Sequence, residues 1–134
     1  MKKLMPFIIS ALLIATMGVI MFLNMSKEHV VLQGNFNLSD YQEEIEHFSS
    51  DKHVGNIDSA QMAAEKAKEL WIEQFSRDGQ KYKLKGKVII VAFDEENECW
   101  LIKGTLPQKP NLVGGVPCAL IQRDGTVMAV WHGQ

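Results

Sequence analysis

The chain has little of what chemistry at a protein site usually requires. Its four histidines are His29, His47, His53 and His132, and none stands at metal-ligand spacing with another His, a Cys or an acid. His132, near the terminus on an expected strand, reads as a surface or partly packed residue rather than a base. No glycine-rich phosphate loop is present. Gly114-Gly115 precedes an apolar run that reads as a strand, so the anion-binding helix N-terminus is missing. There is no nucleophile elbow and no local Ser-His-acid or Cys-His signature. Catalytic residues, cofactor and metal are therefore all expected to be none. Charge of one sign is scarce too: the formal net charge is −2, and −4 without Lys2 and Lys3. A mildly acidic body argues against nucleic acid and is compatible with a basic protein partner.

What the chain does have is one long apolar run. Leu4 to Met25 carries no charge and follows Lys2-Lys3. It is long enough for a bilayer core, which takes ~20 apolar residues. Residues 1–25 read as an uncleaved signal anchor. The alternatives are a cleaved signal peptide and a buried helix. Cleavage after the small pair Thr16 and Gly18 would leave VIMFLNM exposed, and no Cys follows to accept a lipid. The two lysines should stay cytoplasmic, so the body is expected outside the cytoplasm, anchored through residues 4–25. With cleavage it would be secreted or periplasmic.

The apolar N-terminus leaves about 85 to 108 residues for a folded body; residues 26–38 read as a polar-to-mixed tether and 39–134 as one small domain. Ser39 looks like an N-cap with Gln42 at the capping-box position. Tyr41, Ile45 and Phe48 then form one apolar stripe on a short helix. A second helix is expected over about Ser59 to Phe75, capped by Asp58, with Ala63, Ala67, Leu70, Trp71 and Ile72 on its apolar side. Lys81 to Lys87 is a charged connector or an edge strand. Val88 to Phe93 reads as a strand buried on both faces, and Cys99 to Gly104 returns as the next.

Gly114 to Gly133 closes the chain as a hairpin around Asp124-Gly125. With a two-residue turn, Ile121 faces Met128, Leu120 faces Ala129, Ala119 faces Val130 and Cys118 faces Trp131. Alternation then puts Cys118, Leu120, Val127, Ala129 and Trp131 on one face, and Ala119, Ile121, Met128 and Val130 on the other. Both faces are apolar, so the hairpin must be covered twice. Pro117 places the start of its strand at an edge or at the strand's own beginning. The sum is α+β, with helices packed on a four-stranded antiparallel meander.

Three side-chain groups invite a functional reading. Asp94, Glu95, Glu96 and Glu98 crowd four carboxylates into one turn, which a basic partner would relieve; the plain alternative is a solvated hairpin tip. Glu43, Glu44 and Glu46 read as a solvated helix face, with an acidic docking face as the functional alternative. Cys99 and Cys118 sit on neighbouring strands and could bridge if the register brings their Cα atoms within ~7 Å; otherwise they are buried thiols.

The order NIDSAQMAAEKAKELW, CWLIKGTLP and GGVPCALIQRDGTVMAVWHG resembles small bacterial immunity proteins of the nuclear transport factor 2 fold type, found in polymorphic toxin systems. The matching positions are Ala63, Ala64 and Ala67, then Trp100 and Gly104, then Gly114, Gly115 and Val116, then Asp124 and Gly125, then His132 and Gly133. The resemblance covers about residues 54–134. It implies a cognate protein toxin as partner, neutralised by stoichiometric binding, and no catalytic residues. A cystatin-like or PepSY-like arrangement fits the same string of elements and would imply an extracytoplasmic regulatory or peptidase-inhibitory module.

Overall fold

A computed structural model describes residues 28–107 and 115–133. The anchor-like run, Gly114 and Gln134 lie outside the described residues. Five strands form one mixed sheet in the order β1-β2-β3-β4-β5: His29–Gly34, Val88–Asp94, Cys99–Lys103, Pro117–Gln122 and Val127–His132. The helices are α1, Gln42–His47, and α2, Ala60–Phe75. The architecture is α+β.

Strands β2 to β5 form the expected meander, each pair antiparallel. The fifth strand corrects the reading of 26–38 as a tether alone. HVVLQG is rich in residues that suit a pleated surface, and it pairs parallel to β2, with His29 opposite Val88 and Val31 opposite Ile90. It takes the edge position offered to Lys81–Lys87, which forms no strand.

The apolar character of both faces is met by two covers. Helix α2 lays Ala63, Ala64, Ala67, Leu70 and Trp71 on one face, against Ile89, Val91, Trp100, Ile102, Ala119 and Ile121. The small alanines let the helix come close. The indole N–H groups are satisfied: Trp71 donates to the Cys118 carbonyl at 3.1 Å and Trp100 to the Ile57 carbonyl at 3.3 Å. On the other face Phe36, Leu38, Tyr41 and Ile45 pack over Cys99, Leu101, Cys118, Leu120, Ala129 and Trp131. An aromatic row crosses that face, with Tyr41 and the half-exposed Phe48 each flanking Trp131, at ring centroid distances of 6.0 and 6.4 Å.

Between the helices the chain passes around the outer edge of β5. Val127 N–H donates to the Lys52 carbonyl at 3.0 Å and Val130 N–H to the Phe48 carbonyl at 3.2 Å, while Val54 N–H donates to the Gly125 carbonyl at 2.9 Å. This strap closes one edge of the sheet. The outer edge of β1 pairs with no strand among the described residues.

Both helix starts differ from expectation by one or two residues. Ser59, not Asp58, caps α2, accepting from Met62 N–H at 3.1 Å. Asn37, not Ser39, caps a 3₁₀ turn, Leu38–Tyr41, that precedes α1. Asn and Asp compete well with Ser for such positions, so neighbouring candidates are nearly equivalent by composition.

The closing hairpin also departs from the two-residue turn. Gln122 N–H bonds the Thr126 carbonyl at 2.8 Å and Gly125 N–H bonds the Gln122 carbonyl at 2.8 Å, leaving a three-residue loop with Gly125 at φ +99°. Cys118, Ala119 and Leu120 keep the expected partners, but Ile121 pairs with Val127 and a bulge falls at Met128. The extra residue inverts the alternation beyond it. Val127 therefore joins the α2 face and Met128 the opposite one, the reverse of their expected placement. Pro117 begins β4, where its missing N–H costs no ladder bond.

A Cβ at Gly125 would lie 2.3 Å from the Gly55 carbonyl oxygen. Gly79, at φ +76°, has nothing within 4 Å of such a Cβ. Gly79→Ala should cost only left-handed strain, about 1–2 kcal/mol. Gly125→Ala adds the overlap with the strap and should cost about 3 kcal/mol or more. Urea unfolding of the two variants side by side checks the difference.

Candidate functional site

Strand polarity sets the two ends of the sheet. Strands β1 and β2 run together from the point where the described chain begins, so the β2–β3 turn stands at the far end, seven β2 residues away. That is ~20 Å at 3.3 Å per residue. The four acidic residues of this turn have three different fates.

Asp94 is turned into the fold. It is 4% exposed, the one buried charged residue among those described. Its carboxylate accepts from Asn97 Nδ2 at 2.8 Å, Asn97 N–H at 3.1 Å and Leu38 N–H at 3.1 Å. The Asn97 side-chain bond, with help from the backbone donors, holds its pKa below the ordinary value against the opposing effect of burial. Asp94 thus ties the turn to the start of the 3₁₀ turn on the second face. Glu98 sits at φ +49° and pairs loosely with Arg123 at 3.6 Å, and Arg123 N–H donates to the Glu98 carbonyl at 2.8 Å. Glu95 and Glu96 are exposed, and neither has an ion-pair partner among the described residues.

Around this tip lies surface that sequence reasoning missed. A shallow hollow joins Glu96 and Asp94 to Asn35, Phe36 and Asn37. Next to it, an open groove of about 300 Å³ runs between Tyr41 and Ile90, with Gln33 and Lys103 at its margins. Lys103 lies 5.6 Å above the Tyr41 ring. The free edge of β1 borders the groove and exposes Val31 (46%) and Leu32 (61%). The one available signal was HVVL itself, short and next to the apolar N-terminal run, which read as part of a tether.

The remaining sequence candidates are structural. Trp100 is core. Gly104 packs where a Cβ would meet the Pro117 ring at 2.8 Å, and Gly115 where one would meet the Gly133 carbonyl oxygen at 1.3 Å. Asp124 is exposed and accepts from Thr126 N–H at 2.9 Å; that backbone bond lowers its pKa. His132 keeps an exposed ring near Phe75 and Tyr82, at 5.7 and 6.3 Å.

The bridge between Cys99 and Cys118 is excluded by register. Cys99 faces Gln122 and Cys118 faces Lys103, so the two stand four positions apart along the β3–β4 pair. That is ~13 Å, beyond disulfide reach. Both are free, buried thiols. Burial pushes Cys99 up to about 12, with Asp94 adding to the effect, and Cys118 up to about 11. A thiol in that range is not a nucleophile at neutral pH. Among the described residues no three His, Cys, Asp or Glu side chains gather as a metal site, and no helix is long and apolar enough to cross a membrane.

Compared with protein families, with curated proteins and with solved structures, the chain finds no match.

Two outcomes test this site. Asp94→Ala strands the Leu38 and Asn97 donors and should destabilise the protein by about 1–3 kcal/mol at neutral pH. Because the folded pKa is lowered, this contribution is complete above the ordinary aspartate range. It fades as pH falls through the lowered folded value, so the gap between wild type and variant should narrow as pH drops below the ordinary aspartate range in denaturant titrations. Thiol titration should find both cysteines unreactive in the native protein and two reactive thiols in denaturant, with or without prior reduction.

Proposed function

We propose that the chain is a membrane-tethered binding module that acts by stoichiometric association with a protein, and that the protein is a toxin which it neutralises. The observation that carries the binding reading is the hairpin tip. Asp94 anchors it internally, while Glu95 and Glu96 present carboxylates with no ion-pair partner among the described residues, beside a groove and an open strand edge. A pre-ordered acidic tip suits a basic surface, since charges already in place steer association without an ordering cost. The toxin-immunity reading rests on the Gly-Gly-Val, Asp-Gly and His-Gly resemblance of residues 54–134. A fold of the nuclear-transport-factor-2-like or cystatin-like kind is supported by a helix lying on one face of the β2–β5 meander. The tether rests on the uncharged run Leu4–Met25. It would place the body outside the cytoplasm, with the tip away from the membrane.

A second reading is favoured by the β1 edge. Exposed Val31 and Leu32 lie on an edge strand whose outer side pairs with no strand among the described residues, a surface suited to an extended peptide by strand addition in a PepSY-like regulatory or peptidase-inhibitory domain.

The deciding experiment expresses the full chain in toxin-sensitive cells, together with the toxin encoded beside its gene. Protection that depends on the chain supports immunity; death at the same toxin dose with and without it sinks the reading. In binding kinetics, Glu95→Lys with Glu96→Lys should slow association about tenfold at low salt and leave the fold intact. An unchanged rate removes the tip from the interface.

A further inference from the structure

At the opposite end of the sheet lies a row of lysines that the binding reading does not use. In the segment Lys81–Lys87, Tyr82 and Leu84 turn inward and pack against the α2-side core, and Gly86 is buried against Thr105. The alternate residues Lys81, Lys83, Lys85 and Lys87 are all exposed. None of them is ion-paired among the described residues. They border a hollow of about 360 Å³ together with Lys68 and Glu28. Glu28, the acidic residue among the described residues that line it, is bonded to Lys68 at 2.8 Å.

The row's position in the chain is what gives it meaning. His29 N–H bonds the Lys87 carbonyl at 2.6 Å, so the row begins beside the residue where β1 starts. The uncharged run Leu4–Met25 ends four residues before His29. Four residues reach at most ~14 Å. Lys87 is thus confined to within about one to two Debye lengths of the end of the run. The acidic tip stands seven β2 residues off in the other direction.

We infer that Lys81, Lys83, Lys85 and Lys87 form a seat for the anionic phospholipid headgroups of the membrane that holds the N-terminal run, setting the body upright with its acidic tip outward. This rests on the tethering part of the function proposed above. Each clustered lysine next to a membrane segment raises the affinity for anionic lipid about fivefold, and these factors multiply. The alternation that packs Tyr82 and Leu84 inward leaves all four lysines exposed without disturbing the core.

The test uses the full chain reconstituted into vesicles of phosphatidylcholine alone or with about one-third phosphatidylglycerol. Lysine acetylation is read residue by residue by mass spectrometry, with Lys52 on the distant strap as reference. Acetylation of the four lysines should slow about fivefold or more in the anionic vesicles and recover in 1 M salt, where screening acts within ~3 Å. Lys83→Glu with Lys85→Glu should abolish the protection of Lys81 and Lys87. Equal labelling in both vesicles, with the chain still floating with them, overturns the headgroup seat and leaves the tether standing. A chain that does not float with either vesicle overturns both. Protection by inorganic phosphate equal to that by anionic vesicles overturns the lipid as occupant in favour of a free anion.

Discussion

The structure depends on a sheet whose central strands are apolar on both faces. Strands β3 and β4 bury nearly every side chain, so neither face can be left to water. One cover is the alanine-rich α2. The other is improvised from a 3₁₀ turn, a single-turn helix and an aromatic row over Trp131. Because the two covers are consecutive in sequence but lie on opposite faces, the chain must pass around an edge between them. That passage produces the strap on β5, and closing that edge leaves β1 as the one without a strand partner among the described residues. The exposed strand edge is a consequence of how the core is covered.

The same geometry sorts the charges. Parallel pairing of β1 and β2 makes both strands run the same way from the end of the sheet where β1 begins. The lysine row stands at the near end of β2 and the carboxylate tip at the far end. A net charge of −2 conceals this separation, since basic and acidic groups on different ends cancel in the sum. For a tethered binding module the arrangement is coherent. Under that proposal a basic base would suit an anionic bilayer, and an acidic tip would be carried clear of it toward a basic partner. Asp94 joins structure to function here, as the buried carboxylate that holds the second-face cover is also the root of the exposed tip.

The long elements were legible from local pattern. Helix α2, the uninterrupted strand VIIVAF and the Asp-Gly hairpin all carry strong periodicity or turn chemistry, and each stands within a residue or two of its expected place. What was not legible depended on pairing. HVVLQG is too short to announce itself, and only its partner β2 makes it a strand. The bulge at Met128 leaves no mark in composition, yet it exchanges the faces of Val127 and Met128. The two cysteines looked adjacent because their strands are adjacent, but four positions of register separate them. The acidic run looked uniform, although one of its carboxylates is internal and two are free.

By itself, then, the sequence determined which segments are apolar, their period and therefore the need to bury a sheet from both sides. These follow from the transfer of side chains out of water, which acts residue by residue. Tertiary structure alone decided register, edge and face: which strand stays open, which carboxylate is spent inside, and which charges gather at each end. Those properties arise from contacts between residues distant in the chain, and no local pattern encodes them.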